Sequence, residues 1–391
     1  MSQSARERPS VMLERAPASY RVISRIAAGG MAEVWRAEAL YEGDKKIPVA
    51  IKRVLPELAG DARHQEMFRH ESRLGKLLRH PNIVRVYDAR KIAGTFIMVM
   101  ELVDGCALKS LLDRALTRNA PMPVPPALHI AIELLRGLDY AHSAVDAAGQ
   151  ALSIVHCDVS PHNVLLSKNG HVKLADFGLA LTALDGARSA SEMVGGKLAY
   201  LAPEIIDQQA PDGRVDLFGV GVILWEMLCG QRLFQGSDEG DTVRRVHKCE
   251  VEPPSRYNKR ASPELDAVVL RSLRRDRDTR FATAGAFADA LEALAREGPY
   301  RADESDVALV VGVHNAMTAQ PEPPPPPNVA SLIEQELAGF AESTDDDAFS
   351  TEGAVPLDPT AFRAPPAPRV PSGERPLAPP AAWDNDDWRL R

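Results

Sequence analysis

Up to about residue 102 the apolar positions of this chain tend to alternate with polar ones; beyond that they recur every three or four residues. Short alternating runs at 20–28, 33–39 and 47–54 predict strands, a helix is predicted over 61–78, and two more strands at 83–91 and 95–102. From about Ala107 the spacing turns helical, with helices predicted over 127–143, 215–228, 263–274 and 284–296. One hairpin interrupts them between Asn163 and Asp176, turned by Lys168, Asn169 and Gly170, since Asn-Gly suits a two-residue loop. No internal repeat is visible. The pattern describes a small β-rich unit followed by a larger helical one.

Composition changes the picture only after residue 298. From Pro321 onward the chain holds 15 of its 31 prolines, and residues 301–391 carry 16 acidic against 6 basic side chains. That segment therefore carries more than the whole net charge of −8, leaving the rest slightly basic. Such a composition buries too little apolar surface to offset chain entropy, so a largely disordered tail is expected over 298–391, with one short amphipathic helix at 328–340. The proline run at 323–327 reads as a spacer or as a ligand for aromatic-lined domains. The acidic end at 384–388 is a docking peptide for a partner or simply solvated. Residues 1–19 are polar and read as a flexible lead-in to a domain at 20–297. The four cysteines form no C-x-x-C, which suits a reduced cytoplasm and disfavours a thiolate metal site. The apolar stretch at 307–313 falls far short of the roughly 20 residues that span a bilayer, so no membrane association is expected. Basic residues are scattered, which disfavours nucleic acid.

Four short motifs stand in order: V-A-I-K ending at Lys52, H-C-D-V-S-P-H-N from His156 to Asn163, D-F-G from Asp176, and A-P-E ending at Glu204. Each is weak alone. Together, at this spacing, they make a strand lysine, a catalytic-loop Asp and Asn, a metal-binding Asp and a substrate-loop Glu. Over residues 20–297 the chain resembles the protein kinase family, most closely the bacterial eukaryotic-like serine/threonine kinases.

The resemblance implies an α+β, two-lobed protein kinase fold and transfer of the ATP γ-phosphate to a protein hydroxyl, with Mg²⁺ as cofactor. It implies that Lys52 meets the phosphates with Glu71 as its anchor, that Asp158 takes or orients the hydroxyl proton, and that Asp176 and Asn163 hold the metal. The phosphate loop contributes Ile26 and Gly29. The adenine lies between Val34, Ala50 and Leu165, behind it stands Met100, and backbone groups of Glu101 and Val103 bond its edge. His156 is expected to pack on Phe177 without chemistry. Asp216 is expected to accept catalytic-loop N–H groups. Glu204 is expected to pair with Arg280, buried in the family's manner or as a surface salt bridge.

Three departures qualify the resemblance. Ala27 and Ala32 replace two glycines of the phosphate loop; Cys157 replaces the arginine that usually answers an activation-loop phosphate; and Ser160 replaces a lysine. With Cys157 in place, activity is expected not to depend on phosphorylation of Thr182, Ser189 or Ser191. Lys197 occupies the place of a threonine before A-P-E, so the missing charge is expected to have moved there, with the Ser160 hydroxyl in the threonine's role; alternatively Lys197 is a solvated loop lysine. The rival reading of the whole chain is a pseudokinase that binds nucleotide without transfer. The wording of the loop at Ser160 and of the A-P-E segment resembles serine/threonine rather than tyrosine kinases.

Overall fold

The computed structural model describes residues 17–42, 45–92, 95–118, 120–145, 149–177, 197–297, 300–301, 303–318 and 327–342. Strands β1 (Ser19–Ala28), β2 (Ala32–Tyr41), β3 (Lys45–Val54), β4 (Val86–Ile92) and β5 (Thr95–Glu101) form an antiparallel sheet ordered β1-β2-β3-β5-β4. Helix α1 (Ala62–Leu77) lies between β3 and β4 in the chain. Alternation along each strand gives the sheet two apolar faces. Val49 and Ile51 join Tyr20, Val22, Trp35, Ile97 and Val99 on the outer face. Val54 joins Phe96 and Met98 against Phe68 of α1 on the inner one. Lys52, two residues before Val54, shares that inner face.

The large lobe begins at β6 (Gly105–Ala107) and continues through α2 (Leu108–Arg118), α3 (Val124–His142), β7 (Val164–Ser167) and β8 (Val172–Leu174). A 3₁₀ turn at Lys197–Tyr200 precedes α4 (Pro203–Ile206), α5 (Arg214–Cys229), α6 (Glu239–Lys248), α7 (Pro263–Ser272) and α8 (Ala284–Glu297). Every residue of α5 from Val215 to Cys229 is buried, as a helix that is apolar all round must be. It stops at Gly230, whose φ of 65° is left-handed and costs a glycine least. α7 starts where the Ser262 side chain accepts from the Leu265 N–H at 3.3 Å and Pro263 takes the first turn. The helix α6 escapes the apolar pattern because it buries only Thr242 and Val246.

The packed structure runs past the domain end placed at 297. Helices α9 (Glu304–Thr318) and α10 (Pro327–Glu342) follow it. α9 lies on α3, β6 and β7, burying Val307, Val310 and Val311 in the large lobe's core. α10 coincides with the helix expected at 328–340, but it is docked: it lies on β1 and β4 and buries Ile333 and Leu337 in the outer-face cluster. The correction to a largely disordered 298–391 therefore concerns these two helices. Their few apolar residues sit at helical spacing inside a proline-rich, acidic stretch, and average composition hides them. The 384–388 peptide lies outside the described residues. Among the described residues no helix is long and apolar enough to cross a membrane.

Candidate active site

The inner face of β3 aims Lys52 at the cleft between the lobes. Its Nζ donates to Glu71 Oε1 of α1 at 2.6 Å and to Asp176 Oδ1 at 2.9 Å, joining three segments from both lobes. Burial disfavours the Lys52 charge, but the Asp176 and Glu71 carboxylates outweigh it and hold the ammonium protonated well above its ordinary range. Burial also works against ionised Asp176, yet Lys52 pulls its carboxyl down to about 2. In Glu71 burial prevails over the pull of Lys52 and raises the carboxyl. Asp176 has φ 62°, a left-handed backbone that a non-glycine residue adopts at a cost.

The loop between α3 and β7 supplies the second group of residues. Asn163 Nδ2 donates to both the carbonyl and Oδ2 of Asp158 at 2.9 Å. Lys197 Nζ reaches the same Oδ2 at 2.5 Å. Both donors thus converge on one oxygen, and no described residue donates to Oδ1. The Asn163 carbonyl accepts from the Ala175 N–H at 2.8 Å, which brings Asn163 beside the Asp176 segment. Its amide nitrogen is spent on Asp158, so its amide oxygen and the half-exposed Asp176 carboxylate are the donors left over. A pair of hard oxygen donors suits Mg²⁺.

The loop itself is held from below. The Asp216 carboxylate accepts from the His156 and Cys157 N–H groups, each at 2.8 Å, and contacts His142 Nε2 at 2.8 Å. His156 packs edge-on against Phe177 with ring centroids 4.6 Å apart, as expected, and its Nε2 lies 2.9 Å from the Ala175 carbonyl. Cys157 has φ 58°. Burial, with Asp216 and Asp158 nearby, pushes its thiol well above the ordinary range, so it is no thiolate.

Lys197 is the site residue whose support the motifs did not disclose. The turn that carries it is tied down by Tyr200, whose hydroxyl donates to Glu226 Oε2 at 2.8 Å. Arg232 donates to that hydroxyl and that carboxylate, each at 2.7 Å, and to Asp113 at 2.6 Å. Nothing in local sequence announces this network, whose members come from α2, α5, the turn at 197–200 and the loop after α5. The Ser160 hydroxyl, expected in the threonine's role, is buried and bonds to no described residue. Among the described side chains, Lys197 and Asn163 are the donors to the Asp158 carboxylate.

Strand register fixes the neighbours of the residues expected around the adenine. β3 pairs with β5 so that Ala50 opposes Met100, and with β2 so that Lys52 opposes Val34. Leu165 stands in β7 of the β6-β7-β8 sheet, opposite Ala107 and Lys173. The Glu101 N–H is already bonded to the Arg85 carbonyl at 2.8 Å, which leaves its carbonyl side for a ligand. Val103 lies between β5 and β6, outside both ladders. The Glu101 carboxylate pairs with Lys173 of β8 at 2.9 Å, a link between the lobes that sequence did not suggest. Gly29 donates to the Ala32 carbonyl at 2.9 Å and closes the tip of the β1–β2 hairpin, with Ile26 exposed beside it. Thr182, Ser189 and Ser191 lie outside the described residues.

Residues 20–292 match the protein kinase domain family, and the chain belongs to it. Similar curated proteins include the "Tyrosine-protein kinase MasK" of Myxococcus xanthus, 35% identical over 278 residues, covering 71% of this chain and 43% of that protein. Another is the "Probable serine/threonine-protein kinase pknA2" of Bifidobacterium longum, 31% identical over 393 residues, covering 96% of this chain and 48% of that one. The chain spans less than half the length of these two relatives. Among solved structures, the PknI kinase domain of Mycobacterium tuberculosis superposes with TM-score 0.52 at 25% identity, over 75% of this chain and 99% of that one.

Proposed function

We propose that the chain transfers the γ-phosphoryl group of ATP to serine and threonine hydroxyls of a protein substrate in the cytoplasm. The observation that carries this reading is Lys52 bonded at once to Glu71 and Asp176, since phosphoryl transfer asks a protein mainly to position groups and neutralise charge. Lys52 binds the α- and β-phosphates. Asp176 and Asn163 would hold Mg²⁺, which when bound neutralises charge on the β- and γ-phosphates. Asp158 offers Oδ1 to the substrate hydroxyl, because Oδ2 is occupied by Asn163 and Lys197. As the hydroxyl oxygen bonds to the γ-phosphorus, the bond to the β-bridging oxygen breaks, the proton leaves toward Asp158, and ADP departs. Lys197 steadies charge at the γ-phosphate while it holds Asp158. Ile26, Gly29, Val34, Ala50, Met100, Glu101, Val103 and Leu165 enclose the nucleotide.

Cys157 has no charge with which to receive an activation-loop phosphate, so transfer proceeds without that modification. Two other readings have specific support. Similarity to a protein named as a tyrosine kinase favours a tyrosine hydroxyl, and Ala27 and Ala32 in the phosphate loop favour a pseudokinase. One experiment separates all three: purified protein with Mg²⁺ and labelled ATP, Asp158→Asn as the blank, and the phosphoamino acids of the products identified. Phosphoserine and phosphothreonine above the blank are expected. Phosphotyrosine alone selects the second reading, and nucleotide binding with no label above the blank selects the third.

A further inference from the structure

We propose that α9 and α10 form an intramolecular brace across the nucleotide cleft, in which α10 positions Lys52 from the back of its own strand; this rests on the reading of Lys52 as a nucleotide ligand. α10 buries Ile333 and Leu337, one helical turn apart and both 0% exposed, among Trp35, Ile51 and Val99. Glu336, between them, binds Arg53 through two bonds of 2.7 Å, a fork-to-carboxylate match that fixes orientation as well as distance. Both side chains are less than a tenth exposed. Glu334 of the same helix accepts from the Val22 N–H of β1 at 3.0 Å.

The consequence follows from strand geometry. Arg53 and Lys52 are neighbours on β3, and neighbours on a strand point to opposite faces. Holding the Arg53 guanidinium on the outer face therefore fixes the twist of the strand that aims Lys52 into the cleft. The grip on Val22 does the same for β1, the strand that runs into Gly29. The other wall is held by α9. The Glu304 carbonyl lies so close to Gly170, at the tip of the β7–β8 hairpin, that a Cβ there would sit 1.8 Å away; Gly170 also has φ 90°. That hairpin carries Leu165 and leads to Asp176. Eight residues join α9 to α10 and reach at most about 29 Å when extended. With α9 fixed on the large lobe, α10 is presented to its own small lobe at high effective concentration, so the occupant of the outer face is this chain's own helix.

If the brace acts on Lys52, nucleotide binding and α10 docking must favour one another by the same factor. The test uses the full chain with a non-hydrolysable ATP analogue and Mg²⁺, binding measured by calorimetry and amide exchange followed over residues 330–342. Analogue binding is expected to slow exchange in α10, and Glu336→Gln or Ile333→Asp is expected to weaken the analogue about five-fold or more, the low end of ordinary coupling between sites. Analogue binding that leaves α10 exchange unchanged overturns the brace alone, and this arm needs no variant to fold. A Glu336→Gln protein that melts lower yet keeps wild-type affinity reduces α10 to a structural staple and overturns the coupling. A dimer formed by exchange of α10 overturns the intramolecular assignment. Failure of the wild-type chain to bind the analogue overturns the brace together with the reading of Lys52.

Discussion

Each lobe of this molecule contains a buried arginine–glutamate pair, and the two are built differently. In the large lobe Arg280 binds Glu204 through bonds of 2.7 and 2.8 Å. It also donates to the carbonyls of Arg274, Arg275 and Arg214 and lies 4.9 Å over the Phe218 ring. Its side chain is 0% exposed. In the small lobe Arg53 binds Glu336 just as closely, but that pair lies between a sheet and a helix that arrives from the far end of the chain. The first is enclosed on all sides and cannot open without unfolding the lobe. The second can open by lifting one helix, which lets water reach both charges. A charge pair thus stabilises according to what must move to expose it, and its bond lengths alone do not rank it.

The largest effect is expected when the second pair is removed together with its setting. Truncation at Gly298 strips away α9 and α10 and exposes the sockets of Val307, Val310, Val311, Ile333 and Leu337. Full burial of such a side chain is worth about 1.5–3 kcal/mol, offset in part by the entropy that two unordered helices regain. The truncated protein is expected to melt well below the full chain and to bind a hydrophobic dye. An unchanged melting curve would show that neither helix contributes.

Single substitutions come next. Glu204→Ala leaves Arg280 enclosed and is expected to cost on the order of 3–5 kcal/mol, lowering the melting temperature of the whole domain. Glu336→Ala is expected to cost about 1–3 kcal/mol and to act locally, through faster amide exchange in α10 and β1 with the global transition little moved. Equal losses in the two variants would erase the distinction between an enclosed pair and a hinged one.

Lys197–Asp158 is a third kind of pair, partly exposed on the lysine side and, on the proposed reading, set where charge develops, so its loss is expected in rate. Lys197→Thr should lower transfer about 100-fold or more, as removal of a transition-state donor does, with melting nearly unchanged. Ser160→Lys on that background is expected to restore much of the rate, giving a large coupling in the double-mutant cycle. Additive losses would mean that the charge has not moved between these positions.

The smallest effect concerns Cys157. Burial keeps its thiol protonated, so brief treatment with iodoacetamide at neutral pH should leave transfer unaffected. Rapid inactivation protected by Cys157→Ser would place a thiolate beside Asp158.

Much of the site was legible because its residues are carried by local motifs. Lys52, Asp158, Asn163 and Asp176 are carried by the motifs themselves, Glu71 was placed by its position in the helix after β3, and Arg280 by the resemblance of the segment at 277–281. The surroundings of Ser160 were not legible, because a hydroxyl's partner depends on segments distant in sequence; no described residue bonds to it. The support beneath Lys197 was invisible for a related reason: Tyr200, Glu226, Arg232 and Asp113 meet only once α2 and α5 are packed. Average composition hid the helix α9 and the docking of α10. Prolines and acids set the composition of 298–391, while α9 and α10 bury Val307, Val310, Val311, Ile333 and Leu337.

Sequence by itself determined what repeats or recurs locally: alternation in the strands, helical spacing in the large lobe, the Asn-Gly turn, and the order of charged groups that phosphoryl transfer needs. The tertiary structure decided which surface each helix after 297 covers, that Arg53 has a partner 283 residues away, and that Lys197 reaches Asp158. These are long-range choices among several apolar faces and several carboxylates of similar chemistry. Local propensity cannot rank them, because the free energy that separates them comes from packing and desolvation, which exist only when both partners are in place.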